Sequence, residues 1–445
     1  MPDSELERPL LRLALLSERA RKDPKCQFIS LAHWLDEEFL ARCYYRLGRD
    51  RASGIDGVTW KEYGEHLEEN LRDLVARLKA KRYRPQPSKR VYIPKDEHSQ
   101  RPLGLPALED KIVQAGIAAI LGAIYEADFL DCSYGFRPGR GCHQALDAVY
   151  ETIRRKPINH VIDADIKGFF DHVSHAWLMK FLRVRIKDSS LLLLVERFLK
   201  AGYFEAGQVV ATERGTPQGG NLSPLLSNIF LHYVLDLWFE KSLKHELRGA
   251  CQLVRYADDF VVMVQYQDDA QHVRQALGER FARFELELHP EKTRVIGFGR
   301  YERENARRQN RRPNTFDFLG FTHYCMSTWW GTFGVGRKTS RKKFRKKVRE
   351  LNDWLYQVRN VFAVKEWWPI LKAKLTGHYQ YYGISGNSRA IVRFYRLAVR
   401  LALKWLNRRS QKRSYSKRSF SGYLKHYPLP KPRIVHNPFK PSPQP

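Results

Sequence analysis

The spacing of apolar and polar residues changes along the chain, and this spacing predicts where helices and strands lie. Residues 1–80 are spaced mostly as helices, with an interruption at RASGIDGVTW, where Gly54 and Gly57 indicate a turn. Residues 85–105 alternate as in a strand, and the alternation breaks at RPLGLP. The chain is therefore predicted to begin with a helical region that leads into a β segment.

Short strands and helices alternate between residues 108 and 300. Helical spacing recurs in five segments, at 108–126, 141–155, about 174–200, 223–240 and 268–284. The predicted strands are NHVIDADI and TRVIGF and the hairpin CQLVRYADDFVVMV. This pattern predicts an α+β domain built around an antiparallel sheet. From 338 onward no clear strand appears, and the helices predicted there pack four large residues inward, namely Trp354, Leu371, Tyr379 and Trp405.

The distribution of charged residues along the chain indicates what class of partner the protein binds. The chain has 445 residues, of which 78 are Lys or Arg and 48 are Asp or Glu, so its formal net charge is +30. Residues 301–445 hold 33 Lys or Arg and 6 Asp or Glu, whereas residues 1–300 hold 45 and 42. Nearly all of the excess is carboxyl-terminal, and a polyanion such as a nucleic acid is the expected partner of that region.

Cysteine usage and hydropathy exclude several other classes of protein. The six cysteines include no C-x-x-C pair, which argues against a disulfide framework or a zinc ribbon and fits a reducing compartment. The longest apolar runs are shorter than 18 residues, so no membrane segment is expected. The first residues mix acids and bases as an amphipathic helix does, and no signal or transit peptide is predicted.

Candidate chemistry lies in two acidic segments. Asp258 and Asp259 fall between two apolar β runs, where a tight turn would present both carboxylates to a cleft. In VIDADIKGFFDHV, Asp163 and Asp165 alternate with apolar residues and so share one face of a strand. Hard carboxylate oxygens suit Mg²⁺ and metal-assisted phosphoryl transfer. Taken alone, the pair Asp258–Asp259 could equally be a solvated turn.

Several motifs in order along almost the whole chain resemble those of reverse transcriptases encoded by group II introns. They are RASGIDGVTW, YIPKDEHSQRPLGLPALEDKIVQ, SYGFRPGRGCHQAL, DIKGFFD, GTPQGGNLSPLLSNIFL, YADD, LHPEKTRVIGFG and FDFLGFTHY. The resemblance implies that Asp258 and Asp259 of the YADD box and Asp165 of DIKGFFD are the catalytic ligands of two Mg²⁺ ions. It adds Ile166 as a further contact of metal and substrate, and it leaves Asp163 a structural role.

The same resemblance assigns the remaining site residues. Phe170, with its neighbour Phe169 as the alternative, lies where an aromatic ring blocks a ribose 2′-hydroxyl, which selects deoxynucleotides by steric clash. Lys95 and Arg101 are expected to hold the incoming triphosphate, although both could be solvated cations beside a polar turn. The other expected contacts to nucleotide, template or primer are Pro217, Gln218, Gly219, Tyr256 and Lys292, with Phe318, Leu319 and Gly320 as the primer grip. Lys292 could instead be an ordinary surface residue.

The implied architecture is α+β, a right-hand polymerase followed by a helical thumb and a basic maturase domain. The predicted divisions are a helical amino-terminal extension at 1–50, fingers and palm at 51–300, the end of the palm at 301–337 and thumb with maturase domain at 338–445. The implied partners are group II intron RNA, an RNA template–DNA primer duplex and deoxynucleoside triphosphates, without a membrane. A homodimer is left open.

Further implications concern location and the activities to expect. The resemblance implies a bacterial protein of the cytoplasm that associates with the nucleoid. Many members of the family carry an H-N-H endonuclease with two cysteine pairs, and these residues do not follow the maturase-like region, so second-strand DNA cleavage is not expected. Two alternatives to the polymerase remain. One is an RNA-binding splicing cofactor without chemistry of its own, and the other is a domesticated relative serving DNA repair or a CRISPR system.

Overall fold

The structure, a computed structural model, describes residues 3–94, 100–216, 219–409, 411 and 414–438. The chain divides into two units. Unit 1 comprises Met1–Ala145, Ile162–Val262 and Asp268–Arg294, and unit 2 comprises Leu146–Val161, Met263–Gln267 and Val295–Pro445. The predicted divisions at 50, 300 and 337 stay predictions, since the units are interleaved in sequence.

Unit 1 begins with five helices, which confirm the helical spacing predicted for 1–80 and 108–126. They are α1 (Asp3–Lys22), α2 (Glu37–Arg46), α3 (Trp60–Glu65), α4 (Leu67–Lys79) and α5 (Leu108–Tyr125). Helices α1 and α2 pack against α5. Between α2 and α3 lies the predicted turn, and a Cβ on Gly54 would come within 2.5 Å of the backbone of Ala107, so only glycine fits there.

A hairpin joins α4 to α5. Strand β1 (Ser88–Pro94) pairs antiparallel with β2 (Gln100–Leu105), with Ile93 opposite Arg101 and Tyr92 opposite Pro102. The predicted break at RPLGLP is therefore wrong, because five of its six residues form β2. The sheet order β2-β1-β4-β5, in which β4 is Tyr203–Glu205 and β5 is Gln208–Val210, makes β2 an edge strand. A proline is tolerated at an edge, where its missing N–H breaks no ladder.

The middle of the chain supplies more helices, and all of them except Phe169–His172 fall in segments with predicted helical spacing. They are α6 (Cys142–Arg155), α7 (Phe169–His172), α8 (His175–Arg185), α9 (Ser189–Lys200) and α10 (Ser223–Leu231). The helix that starts with α10 continues through two stretches of wider turns, His232–Asp236 and Phe239–Leu243, into α11 (Lys244–Glu246). It is thus longer than the predicted 223–240.

A four-stranded sheet has the order β6-β7-β3-β8. Its strands are β6 (Cys251–Tyr256), β7 (Asp259–Val264), β3 (His160–Ala164) and β8 (Arg294–Gly297), and α12 (Gln267–Arg283) follows β7. All of these elements were predicted from the spacing of apolar residues. Strand β3 stops at Ala164, so Asp165 directly follows the strand rather than lying in it.

Unit 2 contains a three-stranded sheet and the basic helices. After α13 (Glu302–Arg308), strands β9 (Thr315–Phe318), β10 (Phe321–Ser327) and β11 (Phe333–Thr339) form an antiparallel sheet in the order β11-β10-β9. Then come α14 (Arg341–Val358), α15 (Val364–Tyr382), α16 (Ser388–Leu406) and α17 (Lys417–His426). The predicted inward packing is confirmed for Leu371, Tyr379 and Trp405, whereas Trp354 is half-buried.

The segment after α17 returns to the body of unit 2. Residue His436 pairs with Ile384 in a parallel bridge, and the N–H groups of Val435 and His436 donate to the carbonyl of Gly383. The ring of His436 contacts the carboxylate of Asp147 on α6, which also accepts 2.7 Å from Nη1 of the buried Arg337. The carboxyl-terminal residues therefore help to complete this unit.

Two expectations from the sequence, on membrane segments and on disulfides, can be compared with the structure. Within the described ranges, no helix is both long enough and apolar enough to cross a membrane. None of the six cysteines is in a disulfide in that same part of the chain.

Candidate active site

The turn between β6 and β7 presents two adjacent carboxylates. Tyr256 ends β6 and Asp259 begins β7, so only Ala257 and Asp258 lie in the turn. Ala257 has a φ of 56°, in the left-handed region that residues with a Cβ avoid. Asp258 is half-buried and Asp259 is exposed. The hairpin therefore has the tight turn that the sequence predicts.

The end of β3 lies beside this turn. Strand β3 neighbours β7 in the sheet, and the N–H of Asn159 donates 3.1 Å to the carbonyl of Val264 at the far end of β7. Because the start of β3 meets the end of β7, the end of β3 meets the start of β7. Asp165 follows the end of β3 and Asp259 starts β7. The strand arrangement thus brings Asp165 toward the two turn aspartates.

Asp165 is held by the segment that precedes β8. Its carbonyl accepts 2.8 Å from the N–H of His289, and its Oδ2 accepts 2.6 Å from Nζ of Lys292. The next residue, Ile166, is buried and bridges to Leu288, so its side chain packs inside the protein and is not available to a ligand. Two residues that the sequence assigned to the site from distant motifs, Asp165 and Lys292, are therefore in direct contact.

Electrostatics link Asp258 to the same group of residues. Burial raises the pKa of Asp258 above its usual range, and the negative charge of Asp165 raises it further. The positive charges of Arg101 and Arg255 act in the opposite direction. Asp165, Asp258 and Arg101 therefore share one electrostatic environment, although they come from three motifs.

These oxygen donors suit a hard divalent cation. A cation between Asp165 and Asp258 would relieve the repulsion that raises the pKa of Asp258, and it would take over from the ammonium of Lys292 on Asp165. Within the described residues, no group of three or more His, Cys, Asp or Glu side chains stands ready to hold a metal ion. The complete set of three aspartates stays a prediction.

A buried arginine that the sequence did not single out supports the turn. Arg255 is fully buried, and all five of its guanidinium N–H groups have acceptors. Its Nε and Nη2 pair with the buried carboxylate of Asp236, and Nη2 also donates 2.8 Å to Oγ of Ser133. Its Nη1 donates 3.0 Å to Oδ1 of Asn228 and 2.9 Å to the carbonyl of Ala257. Arg255 thus bonds to the turn itself.

The motif SYGFRPGRG supports the turn from another side. The N–H of Arg255 donates 2.7 Å to the carbonyl of Cys132, and the N–H of Tyr134 donates 2.9 Å to the carbonyl of Arg255. A Cβ on Gly135 would lie 2.4 Å from the backbone nitrogen of Ala257, so this close approach requires glycine. The structure gives this motif a physical role that the resemblance alone did not supply.

The two candidate sugar contacts differ in exposure. Phe169 is buried against Phe230, with ring centroids 6.3 Å apart, whereas Phe170 is half-buried. The carbonyl of Phe170 accepts 2.7 Å from the N–H of Thr216, at the start of the motif GTPQGG. Phe170 is therefore the ring with surface left for a ligand, in line with the preference for it over Phe169.

Three predicted contacts lie outside the described residues, namely Lys95, Pro217 and Gln218. Their neighbours are described. Gly219 has a φ of 117°, and a Cβ there would lie 2.5 Å from the carbonyl oxygen of Gly104 in β2, so this close approach of Gly219 to the β1–β2 hairpin requires glycine. Arg101 lies in β2 and is exposed.

The predicted primer grip is a second tight turn, in unit 2. Phe318 pairs with Phe321, so Leu319 and Gly320 form the turn between β9 and β10, with φ values of 48° and 80°. The hydroxyl of Tyr381 donates 2.9 Å to the carbonyl of Leu319, and the N–H of Ser340 donates 3.0 Å to that of Gly320. Phe318 is buried, so the turn residues carry the accessible surface.

Comparisons with known proteins agree with these observations. A family model described as reverse transcriptase (RNA-dependent DNA polymerase) matches residues 93–323, just over half of the chain. Protein YkfC of Escherichia coli K12 is 33% identical over 390 residues, which cover 80% of this chain and 97% of that protein. The group II intron-encoded protein LtrA of Lactococcus lactis subsp. cremoris is 41% identical over 201 residues, 44% of this chain. The chain spans 33% of the length of LtrA.

Proposed function

This chain belongs to the reverse transcriptase (RNA-dependent DNA polymerase) family, and on that premise we propose that it adds deoxynucleotides to a DNA 3′ end by copying an RNA template. The observation that carries the proposal is the electrostatic link between Asp165 and Asp258 at the meeting ends of β3 and β7. The proposal is supported by two carboxylates that follow the ends of separate strands, with Asp259 next to Asp258, since phosphoryl transfer uses carboxylates that hold metal ions.

The three aspartates are proposed to hold two Mg²⁺ ions, with a backbone contribution from Ile166. Such ions would supply charge stabilisation for the attacking 3′-hydroxyl and for the leaving pyrophosphate. Lys292 neutralises Asp165 through its 2.6 Å contact, and it keeps a positive charge beside the site when the carboxylates engage a cation. The raised pKa of Asp258 means that its ionised, metal-binding form is lost at a higher pH than for an ordinary aspartate.

The other site residues are proposed to bind and orient the nucleotide and the duplex. Arg101, with Lys95, pairs with the triphosphate, since guanidinium groups bind phosphate through paired hydrogen bonds. The half-buried ring of Phe170 lies under the sugar and rejects a 2′-hydroxyl. The nucleotide and template are proposed to lie against four further residues, namely Pro217, Gln218, Gly219 and Tyr256. The primer is proposed to be held by the turn of Leu319 and Gly320. The layout is that of fingers, palm and thumb.

Binding and splicing of group II intron RNA form the second part of the proposal. Helix α14 starts with seven Lys or Arg between residues 341 and 349, and most of this stretch is exposed. A face of cations in this arrangement suits the phosphates of a folded RNA. The relative LtrA is named as a group II intron-encoded protein, which is the association that this part of the proposal extends to the present chain.

The polymerase proposal is tested with the double variant Asp258→Ala/Asp259→Ala. Extension of a DNA primer on an RNA template should fall by about a thousandfold or more, because metal ligands act as a unit. The matched control is Glu68→Ala/Glu69→Ala, which removes two adjacent exposed acids from α4 and should extend normally. Intron RNA binding should survive in both variants. Primer extension that persists without both aspartates would rule out the proposed site.

The RNA-binding proposal is tested by replacing Arg341, Lys342, Lys343 and Arg345 with Gln. Intron RNA affinity should fall, and the slope of log affinity against log salt should become less steep by about 0.7 to 0.9 for each phosphate that the variant no longer neutralises. Replacing four exposed cations elsewhere, at Arg21, Lys22, Lys25 and Lys79, provides the control for total charge. Equal losses of affinity in the two sets would mean that α14 has no special role.

A further inference from the structure

The tip of the β10–β11 hairpin exposes two adjacent tryptophans. Trp329 is 95% exposed and Trp330 is 86% exposed, higher than any other large apolar side chain among the described residues. A tryptophan in this position has its whole apolar ring in water, which is unfavourable unless a ligand covers it. We therefore expect a binding partner to cover the rings of Trp329 and Trp330.

The tip is ordered by its own hydrogen bonds. The N–H of Thr328 donates 2.8 Å to the carbonyl of Thr332, and the N–H of Gly331 donates 3.1 Å to the carbonyl of Thr328. The hydroxyls of Thr328 and Thr332 are also hydrogen-bonded, at 2.7 Å. Because the loop is closed before a ligand arrives, binding costs less conformational entropy than it would for a free loop.

One face of the same hairpin continues the exposed aromatic surface. Tyr324 and Met326 of β10 lie opposite Gly336 and Gly334 of β11, so Lys338, opposite Thr322, is the residue of β11 that has a side chain on this face. The ring of Tyr324 covers Gly336, since a Cβ there would come within 2.2 Å of it. The ammonium of Lys338 lies 5.2 Å from the centre of the Tyr324 ring. The hairpin thus combines rings with a cation on a flat face.

The charge around the hairpin identifies the partner class. Residues 318–349 contain nine Lys or Arg and no Asp or Glu. At the base of the tip, Arg303 of α13 donates to Oγ of Ser327. Asp317 of β9, which accepts from the hydroxyl of Thr322, is an acid on the same face, and the cations outnumber it. Rings beside an excess of cations are the arrangement that binds unpaired nucleic acid, because bases stack on the rings and phosphates meet the cations.

We propose that residues 321–339, the tryptophan hairpin, bind unpaired nucleic-acid bases by stacking on Trp329 and Trp330. The surface is separate from the predicted primer grip. That turn, Leu319–Gly320, precedes β10, and the tryptophans follow it, so seven strand residues, about 23 Å, lie between them. The inference does not depend on the three aspartates, because it concerns binding rather than the polymerase reaction.

The test measures the affinity of the full-length protein for three labelled probes of roughly 12 nucleotides, chosen to cover one stacking site. The probes are a single-stranded RNA of mixed sequence, the DNA of the same sequence and the fully paired RNA duplex. The variant Trp329→Ala/Trp330→Ala should bind the single-stranded RNA about tenfold or more weakly, while the slope against salt stays as in the wild type. The duplex, whose bases are already stacked, should change little.

Controls separate stacking from other effects. Val361→Ala/Phe362→Ala removes two adjacent exposed apolar residues from the same unit and should leave all three affinities unchanged. Trp329→Phe/Trp330→Phe keeps aromatic rings and should restore most of the binding. A single-stranded RNA carrying 5-bromouridine should crosslink to the peptide between Arg312 and Arg337, which contains both tryptophans. Melting temperatures should be equal, since both rings lie outside the core.

Several outcomes would overturn the inference. They are unchanged single-strand affinity in the alanine variant, an equal loss for the duplex, an equal loss in the Val361 and Phe362 control, or a crosslink that maps elsewhere. Binding of the tip to anionic lipid vesicles, or to a protein, with no change in oligonucleotide affinity would also refute it. A primer-extension assay on the same samples tests the polymerase proposal separately. Loss of primer extension would count against that proposal without affecting the inference about base stacking.

Discussion

Two tight turns of this protein carry predicted functions, and they are supported in different ways. In each, the first turn residue has a side chain yet lies at positive φ, Ala257 at 56° and Leu319 at 48°. The carbonyl of Ala257 is held by the fully buried Arg255, whereas that of Leu319 is held by the half-buried Tyr381. A buried charged donor resists displacement far more than a neutral hydroxyl near solvent. The aspartate turn is built to stay fixed, and the primer-grip turn has more freedom to adjust.

The largest expected effect comes from removing the buried guanidinium. Arg255→Leu leaves the carboxylate of Asp236 buried without a counter-charge, so the free energy of unfolding should fall by about 3–5 kcal/mol. Chemical denaturation measures this loss. The double variant Arg255→Leu/Asp236→Leu removes both charges and should recover most of the stability.

Primer extension by that double variant then tests the turn itself. Extension should stay well below wild type although folding is restored, because the carbonyl of Ala257 still lacks its donor. If the double variant extends primers at the wild-type rate, Arg255 only balances Asp236 and does not position the aspartates.

A smaller effect, this time an increase in stability, is expected from replacing Asp258. Its pKa is raised in the folded protein, so its carboxyl contributes most to stability when protonated, and that contribution is lost as the pH rises through the raised value. Asp258→Asn is neutral at every pH and should therefore raise the melting temperature at neutral pH. The gain should shrink as the pH falls toward about 4.

Thermal melting from pH 4 to 8 checks this, with Asp268→Asn as the control at an exposed aspartate. A variant that melts below the wild type at neutral pH would show that Asp258 is stabilised, not strained, in its ionised form.

The smallest effect is expected at the second turn. Tyr381→Phe removes the 2.9 Å hydrogen bond to the carbonyl of Leu319 and keeps the ring, so stability should fall by about 1 kcal/mol. Primer extension should give shorter products, because a looser turn holds the primer less firmly. Product lengths on a long template measure this, and Tyr356→Phe, at an exposed tyrosine of α14, provides the comparison. Equal product lengths in all three proteins would contradict a gripping role for the turn.

The sequence predicted the elements with the strongest apolar patterns. The hairpin of β6 and β7 was found as two runs of apolar β-type residues, and five of the six residues of β7 are buried. The helices of unit 2 were found from the helical spacing of their large apolar residues. The edge strand β2 was missed because Pro102 and Gly104 are usually breakers, and only its place at the sheet edge makes them tolerable. Periodicity cannot reveal such a neighbour.

The residues of the candidate site also fall into those that the sequence predicted and those that it missed. Acidic residues at strand ends and the order of the motifs pointed to Asp165, Asp258 and Lys292, and the structure brings the first two into one electrostatic environment and bonds the third to Asp165. Arg255 was overlooked, because nothing local distinguishes a buried arginine from an exposed one. Its meaning depends on Asp236, nineteen positions earlier, and on Ser133, over a hundred positions earlier.

The return of His436 to Asp147 sets an order for biosynthesis. Asp147 leaves the ribosome 289 residues before His436. Helix α6 is therefore synthesised long before the histidine that contacts it. Unit 1 has all of its residues once Arg294 has emerged, whereas unit 2 needs residues at least as far as His436. A chain cut off after α17 would therefore contain all of unit 1 but lack the residues that contact Ile384 and Asp147 in unit 2.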